Sequence, residues 1–180
     1  QRPIGPGSHS ILFADCRPAA DVHECVRIGR AETPEEKGTS GVATRRFTYM
    51  GYGGTKEYVQ ALRDIVVAIM IEKPGTVDTL EDVLAGKGVE MGQGGGSDYS
   101  MGIGGAGERY TPELRVVERR VFETAIKMGV PPRAEIATAD QAKYFLDMGV
   151  RHFSVGTDIT VLHQWWKSQG EDLRKALGGS

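Results

Sequence analysis

Cysteine is nearly absent from this chain of 180 residues, with Cys16 and Cys25 its sole examples. Two thiols cannot build the disulfide framework of a small secreted domain, so reduced thiols in a cytoplasmic protein are expected. Long apolar runs are absent too. Nothing approaches the ~18 residues of a membrane-spanning helix, and no membrane partner is expected. Charge of one sign is lacking: 22 Lys and Arg stand against 24 Asp and Glu, for a net charge of -2. That balance gives no electrostatic reason to expect nucleic acid or an anionic lipid surface. The start, Gln1-Arg2-Pro3, has neither an initiator Met nor a signal-peptide pattern. A processed chain, or one whose beginning is missing, is the expectation, with Gly7-Ser8-His9-Ser10 read as native sequence.

What is present fits a soluble globular protein, 39% hydrophobic and 26% charged. The length suits a single domain. It falls short of a full eight-stranded (β/α) barrel, which takes about 250 residues and seldom fewer than about 200. Glycine is abundant, at 25 residues, but clustered rather than periodic, which excludes collagen and low-complexity linkers.

Apolar runs alternate with amphipathic patterns. Strands are predicted at Ile11–Ala14, Ile65–Ile71, Val89–Met91, Ala134–Ala137 and His152–Val155. Near-continuous apolarity suits parallel strands covered on both faces. Helices are predicted over Pro18–Arg30, Thr55–Asp64, from Thr76 to Gly86, from Thr111 to Gly129, from Thr138 to Gly149, and over Ile159–Leu177. Thr111-Pro112-Glu113 is a helix start, Thr138 with Gln141 reads as a capping box, and Gly170 as a break in the last helix. The resulting β-α alternation signifies a parallel α/β sheet or barrel.

In such folds ligands bind at the carboxyl ends of the strands. Glu72 follows the most apolar run directly, and Asp98 closes the next strand's glycine-rich bend, Gly92-Gln93-Gly94-Gly95-Gly96-Ser97-Asp98. Adjacent strand ends lie about 5 Å apart, so the two carboxylates could converge and hold a hard divalent cation such as Mg²⁺. Side-chain-free backbone in the bend would let its N–H groups cradle an anion. Taken singly, a carboxylate at a strand end also serves as a helix cap or surface ion-pair partner, and a glycine run as a plain loop. Gly102-Ile103-Gly104-Gly105-Ala106-Gly107 fits G-x-G-x-x-G but follows a polar loop rather than a strand, which disfavours dinucleotide binding. His9, His23, His152 and His163 show no metal-ligand spacing, and Cys16 is read as a buried inert thiol.

The stretch Val66–Gly104 resembles the metal-site half of the HpcH/HpaI aldolases, which are metal-dependent 2-oxo-acid aldolases of the pyruvate/phosphoenolpyruvate barrel superfamily. The resemblance rests on Ile71-Glu72, Gly88-Val89-Glu90 and Gly95-Gly96-Ser97-Asp98-Tyr99-Ser100. It continues through Pro132–Ala137, Lys143–Gly149 and Val155-Gly156-Thr157-Asp158, and back to Gly38-Thr39-Ser40-Gly41-Val42. It implies a (β/α)₈ TIM barrel, this chain covering about the C-terminal five strands. It implies Glu72 and Asp98 as ligands of Mg²⁺, Mn²⁺ or Co²⁺, with Gly96, Ser97 and Asp98 binding the substrate carboxylate. The implied substrates are a small 2-oxo acid and an aldehyde, joined or cleaved through a pyruvate enolate stabilised by the metal.

The chain also departs from the family. The family's Gly-Pro is Gly95-Gly96, a Gln two residues before the metal Glu is Met70, and an apolar strand-mouth residue is Glu135. Glu135 thus becomes a candidate acid/base. The family's catalytic His and substrate-binding Arg lie on early strands, and nothing upstream of Ile11 supplies them. Competing expectations are an oxaloacetate-type decarboxylase, a citrate-lyase-like thioester lyase, and a non-catalytic barrel fragment that binds metal and oxo acid. No basic cluster suits the phosphates of coenzyme A, which ranks the thioester reading lower. The Trp- and Leu-rich last helix implies, by resemblance, a homo-oligomer, dimer or hexamer.

Overall fold

The computed structural model describes residues 4, 7–17, 19–42, 53–108 and 111–178. Its elements in chain order are β1 (Ser10–Phe13), α1 (Ala19–Ile28), α2 (Lys56–Arg63), β2 (Val66–Ile71), α3 (Pro74–Asp78) and α4 (Leu80–Leu84). They continue as β3 (Met91–Gly94), α5 (Gly96–Gly102), α6 (Pro112–Lys127), β4 (Pro132–Ile136), a 3₁₀ turn (Ala139–Gln141), α7 (Ala142–Asp147), β5 (His152–Val155) and α8 (Asp158–Ala176). Gln1, Arg2, Pro3 and Pro18 lie outside the described residues.

The five strands form one parallel sheet in the order β1-β2-β3-β4-β5. Each strand pairs with the next in the chain, with no reversal of the kind that marks a doubly wound sheet. Strand-to-strand crossovers that always advance in one direction along the sheet place the helices on one face. The result is a half-barrel, as the strand pattern predicts.

Alternation along β2 assigns the two faces. Val67, Ile69 and Ile71 are buried against Val22 of α1, Leu80, Val83 and Leu84 of α4, and Val121 and Ala125 of α6. Full burial of each such side chain contributes roughly 1.5–3 kcal/mol relative to exposure. A second cluster joins Phe122, Ala134, Ile136, Phe145 and Val150 beneath β4. The alternate residues Met70, Gln93, Arg133 and His152 stand in register across β2 to β5 on the concave face.

Thr111 caps α6 by accepting from Leu114 N–H, and Pro112 occupies its first turn, as expected. Several elements differ locally from these expectations. Thr76 does not open a helix; α3 starts at Pro74, and the buried Thr76 hydroxyl donates to the carbonyls of Cys16 and Arg17. The Thr138–Gln141 capping box does not form, because Gln141 Oε1 accepts from Ala137 N–H and leaves Thr138 uncapped. Helix α8 runs through Gly170 unbroken. Strand β3 starts at Met91 rather than Val89 and takes in Gly92 and Gly94, because the bulk of Ile71, Leu84 and Phe122 packs where their side chains would stand.

Candidate active site

The carboxyl ends of β1, β2 and β3 carry the charged side chains that the strand-end argument singles out. Glu72 leaves β2 with 5% of its surface exposed. Its Oε1 accepts the backbone N–H of Asp15 at 2.6 Å, which fixes the loop after β1 to the end of β2. Asp15 adopts φ 60°, a left-handed conformation that Asp tolerates better than most residues and that turns this N–H toward Glu72. The Thr76 hydroxyl holds the same loop from below.

Lys73 completes the rim. Its Nζ lies 3.1 Å from Asp15 Oδ1 and 3.1 Å from Asp98 Oδ1. Hydrogen bonds that the Lys73 ammonium donates to Asp98 and Asp15 push it above its ordinary pKa. The hydrogen bond from Lys73, with Arg17 nearby, holds the Asp15 carboxyl below the usual carboxylate range. A continuous path thus runs from Glu72 through Asp15 and Lys73 to Asp98. Asp98 sits in the first turn of α5, half-exposed, beside Ser97.

The glycine-rich bend has one position where glycine is required. A Cβ on Gly95 would lie 2.5 Å from Glu72 Cβ and 3.0 Å from Glu72 Oε2. Only a bare backbone fits against that carboxylate. Gly96 faces open space, where a Cβ would meet nothing within 4 Å. Gly102–Gly107 forms the end of α5 and the turns after it, so this G-x-G-x-x-G does not leave a strand.

Glu72 and Asp98 are therefore brought to one rim, together with Ser97 and Gly96. Glu135 stands level with Glu72 by strand register, exposed on the concave face of β4, two strands from β2, or about 10 Å at ordinary strand spacing. Among the described residues it makes no ion pair. The chain's residues at the rim missed in the sequence are Asp15 and Lys73. Asp15 follows an apolar run just as Glu72 does, and the same positional logic points to it. Met70, read as the loss of a polar group, has Gln93 beside it in register on β3, so an amide stands on the neighbouring strand.

Among the described residues no three His, Cys, Asp or Glu side chains gather as a metal cluster. The donor set is instead two hard carboxylates, Glu72 and Asp98, with Glu72 Oε2 opening over the bare backbone of Gly95. Two carboxylates with room for water and ligand oxygens suit Mg²⁺ or Mn²⁺, so the residues fit a divalent cation.

No family model matches the chain. It is 24% identical over 159 residues to a hydroxypyruvate/pyruvate aldolase of Delftia acidovorans, covering 88% of this chain and 58% of that protein. It is 26% identical over 157 residues to a 4-hydroxy-2-oxo-heptane-1,7-dioate aldolase of Escherichia coli, covering 87% of this chain and 59% of that protein. The chain thus spans about three-fifths of the length of these curated relatives. An HpcH/HpaI aldolase/citrate lyase family protein from Burkholderia cenocepacia shares the fold, with a TM-score of 0.79 at 22% identity over 96% of this chain and 68% of that one. The resemblance to the HpcH/HpaI aldolases holds in sequence and in fold.

Proposed function

We propose that this chain carries the metal-binding rim of a divalent-metal-dependent carbon–carbon lyase acting on 4-hydroxy-2-oxo acids. The observation that supports it most is the linked path Glu72–Asp15–Lys73–Asp98 at the strand ends. In this reading Glu72 and Asp98 hold the cation. When bound, the cation supplies Lewis acidity that stabilises the negative charge developed on a 2-oxo acid as its enolate forms.

The protein's own groups do the positioning. The Asp15 N–H fixes one oxygen of Glu72 and leaves Oε2 over Gly95. Lys73 holds Asp98 Oδ1 and offsets the mutual repulsion of Asp15 and Asp98 across the mouth. Gly96, Ser97 and Asp98 present their backbone N–H groups at the start of α5, where the substrate carboxylate is received. Retro-aldol cleavage, aldol addition and oxaloacetate decarboxylation share the enolate, so the rim serves any of the three. A second reading is metal and oxo-acid binding with slow turnover.

The test is exchange of the pyruvate methyl protons in D₂O, followed by NMR with Mg²⁺, Mn²⁺ or Co²⁺. Exchange that depends on the metal and is lost with EDTA and in Glu72→Gln supports the lyase. Metal and pyruvate binding without exchange supports the second reading. Exchange that survives both chelation and Glu72→Gln overturns the metal-enolate proposal.

A further inference from the structure

One polar group on the concave face is left without a partner. Gln93 is 1% exposed, and among the described residues its Nε2 is the one buried side-chain nitrogen or oxygen that makes no hydrogen bond. Leaving such an amide unpaired is costly, and a folded protein tolerates it where a ligand completes the bond. The amide's orientation is not arbitrary. Its Oε1 accepts Arg133 Nε–H at 2.6 Å, and a guanidinium only donates, so the oxygen must face Arg133 and the NH₂ must face away.

Arg133 is in a matching state. It stands opposite Gln93 in the register of β3 and β4, half-buried, with its position fixed by that one hydrogen bond. Among the described residues no carboxylate pairs with it, although Glu135 lies two residues along the same face of the same strand. Its remaining guanidinium N–H groups keep the planar fork that suits a carboxylate. His152 stands next in register on β5, on the same face. The row Gln93–Arg133–His152 is therefore polar, bounded by the apolar Met70 on β2 and overlooked by the acid Glu135.

We infer that Gln93 and Arg133 form a carboxylate-binding subsite on the concave face, separate from the Glu72–Asp98 pair. Gln93 contributes its NH₂ and holds Arg133 through Oε1; Arg133 supplies the charge and the fork. The level of Met70 and Gln93 lies two residues below Glu72, about 6–7 Å along the strand, and Arg133 is two strands across, about 10 Å. A single elongated ligand can therefore touch both places, one end at the rim and a second carboxylate at Arg133. A free carboxylate can equally occupy the subsite alone. The bridging arm of this inference rests on the proposed lyase reading, whereas the subsite itself does not.

The test uses the 180-residue chain labelled with ¹⁵N and observes the Arg Nε–H and Gln NH₂ resonances, assigned by Arg133→Gln and Gln93→Leu. Titration with sodium acetate, against sodium chloride at equal ionic strength, is expected to give saturable shifts of the Arg133 and Gln93 signals. Arg133→Lys should weaken acetate binding about tenfold while retaining some, an intermediate result that misfolding would not give. Gln93→Glu should place a carboxylate in the subsite from within, abolishing acetate binding and raising Tm. In a second arm, 2-oxoglutarate is compared with 2-oxobutyrate in the presence of Mg²⁺. At least tenfold tighter binding of 2-oxoglutarate, lost in Arg133→Gln with 2-oxobutyrate unaffected, identifies the bound carboxylate as part of the bridging ligand. Acetate binding with no such preference identifies a free carboxylate as the occupant. Absence of saturable acetate shifts, or shifts unchanged in Arg133→Gln, overturns the inference, as does a Gln93→Glu variant that still binds acetate. Acetate binding that persists in Glu72→Gln while metal-dependent exchange is lost keeps the two proposals apart.

Discussion

The backbone N–H of Asp15 donates to Glu72 Oε1 at 2.6 Å, joining the end of β1 to the end of β2. This bond aims the Glu72 carboxylate across the strand mouth, and Gly95 passes bare beneath it. The rim is thus fixed by backbone as much as by side chains, and its weak points follow from that.

Gly95→Ala should be among the most damaging small substitutions in the chain. The added Cβ meets Glu72 Cβ at 2.5 Å, and neither atom is the far end of a flexible side chain. Overpacking of this kind costs on the order of 1–3 kcal/mol. Thermal unfolding should show Tm lower by several degrees, and calorimetric Mg²⁺ titration a weaker site. Gly96→Ala, with nothing within 4 Å of its Cβ, is the control expected to change stability little.

Lys73→Met removes the cation shared by Asp15 and Asp98. Asp15 has its pKa lowered in the folded state, so its contribution to stability is present above the ordinary value near ~3.9 and lost as pH falls through the depressed one. Lys73 has its pKa raised, so its contribution is full below the ordinary value near ~10.4 and lost as pH rises through the raised one. NMR titration of the Asp15 carboxyl should show its midpoint moving up in Lys73→Met. An unmoved midpoint would mean that Arg17, not Lys73, dominates.

The opposite end of the sheet depends on Arg30. Its guanidinium donates to the Ile65 carbonyl at 2.9 Å and pairs with Glu90 at 2.8 Å, while Glu90 Oε2 accepts Val67 N–H. Arg30→Met takes the guanidinium donor from the Ile65 carbonyl and the cation from the partly exposed Glu90 carboxylate, which keeps the Val67 N–H. A loss of about 2–4 kcal/mol is expected in urea unfolding, below the usual figure for a fully buried pair because Glu90 keeps contact with water.

Cys16 Sγ and Cys25 Sγ lie 3.5 Å apart as free thiols. Burial raises both, and the Cys25 thiol is pushed up to about 12. Both should therefore resist alkylation by iodoacetamide at pH 8 in the native protein and react readily in denaturant. Their contribution to stability is full below the ordinary thiol value near ~8.5 and declines as pH rises toward the raised values. Rapid native-state alkylation would contradict the packing.

Helix α8 buries no residue, and Trp165 and Trp166 are 54% and 65% exposed. An apolar helix face of this size is expected to be covered by another subunit. Analytical ultracentrifugation should show a dimer or hexamer, reduced to smaller species by Trp165→Ser with Trp166→Ser. Monomeric sedimentation of the unaltered chain would count against the homo-oligomer.

Much of the fold was legible because the evidence for it is local. The run Ile65–Ile71, the Thr111-Pro112 start of α6 and the stop at Gly129 each follow from hydropathy or backbone preference within a few residues. The Thr138–Gln141 box is not decided locally, because an amide side chain can cap either of two nearby N–H groups, and the tertiary path of the strand end selects Ala137. The bounds of β3 are not legible in the sequence because glycine carries no hydropathy signal; its place in the sheet comes from the neighbours that fill the vacant side-chain volume.

The sequence by itself determined the alternation of strands and helices, the placing of Glu72 and Asp98 at consecutive strand ends, and the scarcity of thiols and long apolar runs. Those properties depend on order along the chain. Which groups face one another was decided only by tertiary structure. Asp15 and Glu72, far apart in sequence, meet because parallel pairing aligns their strands, and Lys73 joins Asp98 for the same reason. Gln93 and Arg133 become neighbours only through the register of β3 on β4, since a one-residue slip would turn either side chain to the helix-covered face.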